Sequence, residues 1–182
     1  MRARKDSRQP TFNGSFDGAH HAIVNLSIAT NDAHAGLFGM LGEDVEVKDL
    51  VFARPTIQVT DDNQFVGVLA GESTQDNISN VHVFDGQITG ETDATIGGIV
   101  GGSFLYTNFN DCSFQGNINT PEASPVGGIV GHHGLHARRT GGCSVRLHHQ
   151  RPRQGPLHRE GNGRYGSSDN GKGNGEIIAY EE

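Results

Sequence analysis

Basic residues are nearly missing from the body of this chain. Between residues 12 and 136 only Lys48 and Arg54 are basic, against fifteen Asp and Glu, a net charge of about minus thirteen. Phosphate binding needs clustered Lys and Arg, so this balance excludes nucleic acid as a partner. No apolar run approaches the roughly 20 residues of a membrane-spanning helix, so no membrane insertion is expected. No long segment carries apolar residues at a 3.6-residue period, and no helix is needed to explain the core. His-Glu-x-x-His is absent, and no Gly-Lys-Ser/Thr follows a glycine run. Neither a zinc peptidase centre nor a phosphate loop is therefore written here. Two cysteines say little about redox compartment.

What is present is repetition. The glycine-bracketed apolar runs Ala35-Gly36-Leu37-Phe38-Gly39, Gly67-Val68-Leu69-Ala70-Gly71, Gly97-Gly98-Ile99-Val100-Gly101 and Gly127-Gly128-Ile129-Val130-Gly131 recur at offsets of 32, 30 and 30 residues. Such a period means one supersecondary unit stacked several times. A companion element keeps step: Ile23/Leu26/Ile28, Val47/Leu50/Phe52, Ile78/Val81/Val83 and Phe109/Cys112/Phe114, with Asn25, Asp49, Asn80 or Asp111 just before the middle apolar position. Its end alternates as a half-buried strand does, and Asx at its start tolerates a bend. Gly86-Gln87-Ile88 and Gly116-Asn117-Ile118 point to a third strand in each unit.

Identical segments recurring thirty residues apart should stack like on like, in parallel, rather than close into hairpins. The pairs Leu37/Phe38, Val68/Leu69, Ile99/Val100 and Ile129/Val130 are expected to fill one interior column as an inward strand, and the companion strands another. The bracketing glycines would supply positive φ at sharp corners. Reading down the stack, the Asx column alternates Asn, Asp, Asn, Asp, which keeps carboxylates off adjacent rungs.

With these runs, Phe12-Asn13-Gly14-Ser15-Phe16-Asp17-Gly18 and the following His21, Ile23, Asn25 and Leu26, the chain resembles the GLUG-motif repeat family over residues 12 to 133. The resemblance implies a short right-handed parallel β-helix of about four coils, all-β, in a bacterial protein that is secreted or displayed on the cell surface. It also implies an adhesin-like, structural role, or membership of a non-catalytic region of an immunoglobulin A metallopeptidase. The alternative is a fragment of a secreted enzyme, either a carbohydrate-active β-helix or a spacer beside a peptidase. Partners on the first reading are a host protein, a glycan or a bacterial surface component. Open edges at either end of a stack about 20 Å tall would allow edge-to-edge self-association.

The flanks differ in character. Residues 1–11 hold Arg2, Arg4, Lys5 and Arg8 without an apolar stretch, which makes a basic leader and not a signal peptide. Residues 12–136 form the repeat domain. Residues 137–182 carry seven Arg and one Lys among many Gly and few bulky apolar side chains, the composition of a poorly ordered tail. Cys143-Ser144-Val145 nevertheless falls 31 residues after Cys112-Ser113-Phe114, where the next companion strand is due. A one-nucleotide shift of a permissible back-translation turns Val145 to Gln150 into another strand-like segment. The tail reads as an out-of-frame continuation of the repeats, with a natural basic tail that binds something acidic such as the core as the alternative, and the chain reads as an interrupted piece of a larger surface protein. The seven residues from Ile28 to Ala35 make the first coil look short.

No residue qualifies as catalytic, cofactor-binding or metal-ligating, and no cofactor is expected. The pairs His20/His21, His132/His133 and His148/His149 place adjacent side chains on opposite strand faces, which does not chelate one ion. His21 is assigned to packing or hydrogen bonding at the opening turn, and His132 and His133 to exposed loop. Cys112 is read as a small apolar core residue matched by Leu26, Leu50 and Val81; a bridge to Cys143 lies within Cα reach but is not expected. Asp61-Asp62-Asn63 and Glu43-Asp44 fall in turns as solvated surface, with weak calcium binding left open. Loop variety across 59–65, 89–95 and 119–126 is what a binding surface would use.

Overall fold

A computed structural model describes residues 11–60, 64–90, 93–120, 125–134 and 140–147. Among them every regular element is a strand, and every ladder is parallel. The chain winds through three sheets in turn, completing about four coils of a β-solenoid. The first sheet stacks Thr11–Phe12, Phe38–Leu41, Ala70–Thr74, Val100–Phe104 and Val130–His133. The second and largest contains Ser15–Val24, Ser27–Thr30, Glu46–Ala53, Thr56–Val59, Asn77–Thr89, Asn108–Asn110 and Ser113–Asn119. The third stacks His34–Ala35, Phe65–Val66, Thr95–Gly97 and Val126–Gly127.

The spacing of the companion motif has a backbone cause. Asp49, Asn80 and Asp111 sit in the left-handed region, at φ 54, 52 and 48, inside the second sheet. One left-handed residue interrupts strand alternation, so positions two before it and one and three after it all face inward. Val47, Leu50 and Phe52 are accordingly buried, as are Ile78, Val81 and Val83, and Phe109, Cys112 and Phe114. Asn and Asp tolerate this conformation better than other residues with a Cβ. A second left-handed column, Asn25, Arg54 and Asp85, at φ 57, 54 and 54, repeats the device further along the same sheet.

That duplication overturns the expected alignment of the first coil. Strand register pairs Phe16 with Val47, His21 with Leu50 and Ile23 with Phe52, with an irregularity between Asp17 and His21. His20, at φ 61, therefore occupies the Asp49 column, and Asn25 belongs to the second bend. Both bends share the same apolar spacing, which is why Ile23/Leu26/Ile28 imitates the first. The first coil is not short: twelve residues separate Ile23 from Ala35, against fourteen from Phe52 to Val66.

Each glycine run makes the expected tight corner, between the third and first sheets, and begins the first-sheet strand that follows, but none of its glycines has positive φ. Glycine is required there by close approach. A Cβ on Gly36 would lie 2.7 Å from the carbonyl oxygen of Gly67 on the next coil, and one on Gly98 would strike the Gly128 carbonyl and the Phe114 ring. The runs still stack like on like: Leu37 N donates to Val68 O at 3.1 Å, Leu69 N to Ile99 O at 2.9 Å and Ile99 N to Ile129 O at 3.0 Å. Their apolar side chains join the core, with Val68, Leu69, Ile99 and Ile129 fully buried.

The stack also crosses both expected boundaries. Thr11 already pairs with Met40. Thr140–Gly141 and Ser144–Leu147 add to the second sheet, with Ser113 to Gly116 in register with Ser144 to Leu147. Val145 packs against the core, which keeps this rung attached. The other residues assigned to the basic leader, and residues 148–182 of the expected tail, lie outside the described residues.

Candidate functional site

The second sheet presents a ladder of polar side chains on its outer side. Left-handed backbone at His20, Asp49, Asn80 and Asp111 lines these residues up one per coil. Asn80 Nδ2 donates to Asp49 Oδ1, and His20 Nδ1 lies 3.8 Å from the same carboxylate oxygen. His82 bridges onward, with Nε2 2.7 Å from Asn80 Oδ1 and Nδ1 2.8 Å from Ser113 Oγ. Asn108 Nδ2 donates to Asn77 Oδ1, and Asn117 Nδ2 to Gln87 Oε1, each to the equivalent side chain one coil below. Hydrogen-bonding capacity is thus spent largely between rungs, which stiffens the face. Asn80 separates the carboxylates of Asp49 and Asp111, so the expected separation survives the corrected first member.

A second group lies at the corner between the third and first sheets. His34 stacks over Phe65 at 5.8 Å, Phe65 meets Phe104 edge-on at 5.7 Å, and Phe104 lies 5.9 Å from His132. His34 Nε2 is 2.8 Å from Glu72 Oε2. Gly102 makes room for this row, because a Cβ there would press on the Phe65 ring. The result is a strip of rings crossing several coils, with a carboxylate at one end.

Among the described residues the most perturbed carboxyl, that of Asp76, was missed in the sequence. Asp76 is fully buried at the corner between the first and second sheets. Its Oδ1 accepts from Val45 N at 3.0 Å; its Oδ2 accepts from Ser73 Oγ at 2.6 Å and Thr74 N at 3.0 Å. Burial raises its pKa from 3.8 to about 6 despite these three bonds. The missed signal was spacing: Val45, Asp76 and Thr107 are each 31 residues apart, so a carboxylate stands in an otherwise uncharged buried column. Asp76 ties coils together and is not accessible to a ligand.

Glu43 and Asp44 form an exposed turn, as expected, and Gln75 Nε2 donates to Asp44 Oδ1 at 3.1 Å. The histidines depart from expectation. His21 is exposed on the first rung. His132 and His133 lie on the strand Val130–His133 and not in a loop; strand alternation exposes His132 and buries His133, whose pKa is lowered by burial. Asp61-Asp62-Asn63 and His148/His149 lie outside the described residues, as do parts of all three variable loops. Lys48 Nζ lies 3.8 Å from both Asp17 and Glu46, and Arg54 Nε donates to Asn25 Oδ1 at 3.1 Å. Among the described residues no group of three or more His, Cys, Asp or Glu side chains is placed to hold a metal ion.

One stretch is similar to halomucin. Over 100 residues, 53% of this chain, the identity to that protein of Haloquadratum walsbyi is 36%, and the matched stretch is 1% of halomucin's length. No family model matches the chain, and no solved structure matches it.

Proposed function

We propose that this chain is a non-catalytic, GLUG-type repeat module of a secreted or cell-surface protein, with a structural or adhesive role. The observation that carries this reading is the outer face of the second sheet, where polar side chains repeat at coil spacing and bond chiefly to each other. Such a face makes a stiff, regular surface. The partial likeness to halomucin is in keeping with this, since the shared stretch is a small fraction of a very long protein and solenoid repeats are a means of building length. The acidic body favours a hydrated, soluble surface. Partners on this reading are a host protein, a glycan or another surface component, met through the loops or the flat sheets. Self-association edge to edge along the stack is a further partner mode on this reading.

A glycan array and a host-matrix binding screen, run beside a polysaccharide cleavage assay, test the proposal. Saturable binding without cleavage is the expected outcome. Cleavage abolished by substituting Asp61 and Asp62 would overturn it.

A further inference from the structure

The two cysteines meet on the last described rung. Ser113 and Ser144 are register partners, and Ser144 N donates to Cys112 O at 2.9 Å, so Cys143 stacks directly on Cys112. Cys112 lies in the core and Cys143 packs against it, with Cys112 Sγ 3.3 Å from Asn110 O and Cys143 Sγ 3.8 Å from Phe109 O, so the two thiols are neighbours on adjacent rungs. Cys112 is fully buried, whereas Cys143 keeps part of its surface in solvent. Both are thiols in this structure. Parallel neighbours about 4.8 Å apart fall inside the Cα window that a disulfide accepts.

We propose that Cys112 and Cys143 form an oxidisable pair whose disulfide fastens the final rung, Ser144–Leu147, to the coil below it. The oxidant is a small-molecule disulfide of the glutathione class. Cys143 is the attacking group because it is the more accessible; its pKa is lowered by the hydrogen bond from Cys112, whereas that of Cys112 is raised by the same contact and by burial. In the first step the Cys143 thiolate attacks one oxidant sulfur, forming a mixed disulfide and releasing one small thiolate. In the second, Cys112 gives up its proton and attacks the Cys143 sulfur, expelling the other half of the oxidant as thiolate. Protonated, the two products are two small thiols. Two protein thiols lose two electrons and two protons, and one oxidant disulfide gains them. Oxidation then links two rungs covalently where the stack otherwise relies on backbone bonds and the packing of Val145.

The test uses the full chain, reduced and then treated with glutathione disulfide. Intact-mass spectrometry should show the loss of two hydrogens from the monomer without a retained adduct, and peptide mapping should link Cys112 to Cys143. Hydrogen exchange at the Ser144 amide should slow by about tenfold or more on oxidation. In Cys112→Ser, the glutathione adduct should remain trapped on Cys143. In Cys143→Ser, Cys112 should stay unmodified while the chain is folded. Two retained thiols, separate adducts on both cysteines, or dimers joined between chains in the wild-type protein would each overturn the proposal.

Discussion

Asp76 shows how one residue ties successive coils together and makes stability depend on pH. Its carboxyl joins Val45 on one coil to Ser73 and Thr74 on the next, and its own backbone N lies 3.4 Å from Thr107 Oγ1. The folded pKa near 6 exceeds the ordinary 3.8, so the folded state holds this proton more tightly than the unfolded state. The corresponding stabilisation is complete below about pH 4 and is lost as pH rises through 6. Its full size is about 3 kcal/mol. Urea unfolding between pH 4 and 7 should show this decline, and Asp76→Asn should flatten it. The left-handed ladder makes a separate prediction. Asn80→Asp would bring three carboxylates onto successive rungs, costing about 1 kcal/mol at low salt and less at high salt. Asn80→Val adds β-branching at φ 52 and removes bonds to Asp49 and His82, and should cost about 2 kcal/mol or more in the same assay.

At the scale of the element, corner and bend are specified by different residues. Glycine makes the corners by lacking a Cβ where two coils touch, and residues that accept left-handed backbone, mostly Asx with His20 and Arg54, make the bends. Gly98→Ala should therefore destabilise by about 4 kcal/mol or more, because backbone and the Phe114 ring block the methyl. Gly142→Ala should cost only about 1 kcal/mol, since its neighbours stand 3.5 Å away and the strain comes from φ 67 alone. Thermal unfolding of both variants checks the contrast. Parallel stacking was legible from the recurrence of Gly97-Gly98-Ile99-Val100-Gly101 and its relatives, and inward positions from the companion motif. Three things were not. Glycine spacing does not tell a positive-φ corner from a steric one, and the identical apolar pattern around Asn25 and Asp49 concealed the true register of the first coil. Asp76 was hidden for a related reason: an isolated Asp between Gln75 and Asn77 reads as loop until the 31-residue column is drawn through Val45 and Thr107.

For the whole molecule, the charge imbalance and the stacked architecture act together. Fifteen acidic residues against two basic ones between residues 12 and 136 repel one another in the folded state, and salt weakens that repulsion. The unfolding midpoint should rise by roughly a few degrees between low salt and 1 M sodium chloride, measured by circular dichroism. The central claim is a parallel stack in which residues about 31 apart lie side by side. Nuclear Overhauser spectroscopy of the isotope-labelled chain tests it most directly. Contacts should join Val81 to both Leu50 and Cys112, and Asn80 to Asp49, in the pattern of parallel strands. Antiparallel contacts between strands adjacent in sequence, with none at the 31-residue spacing, would contradict it.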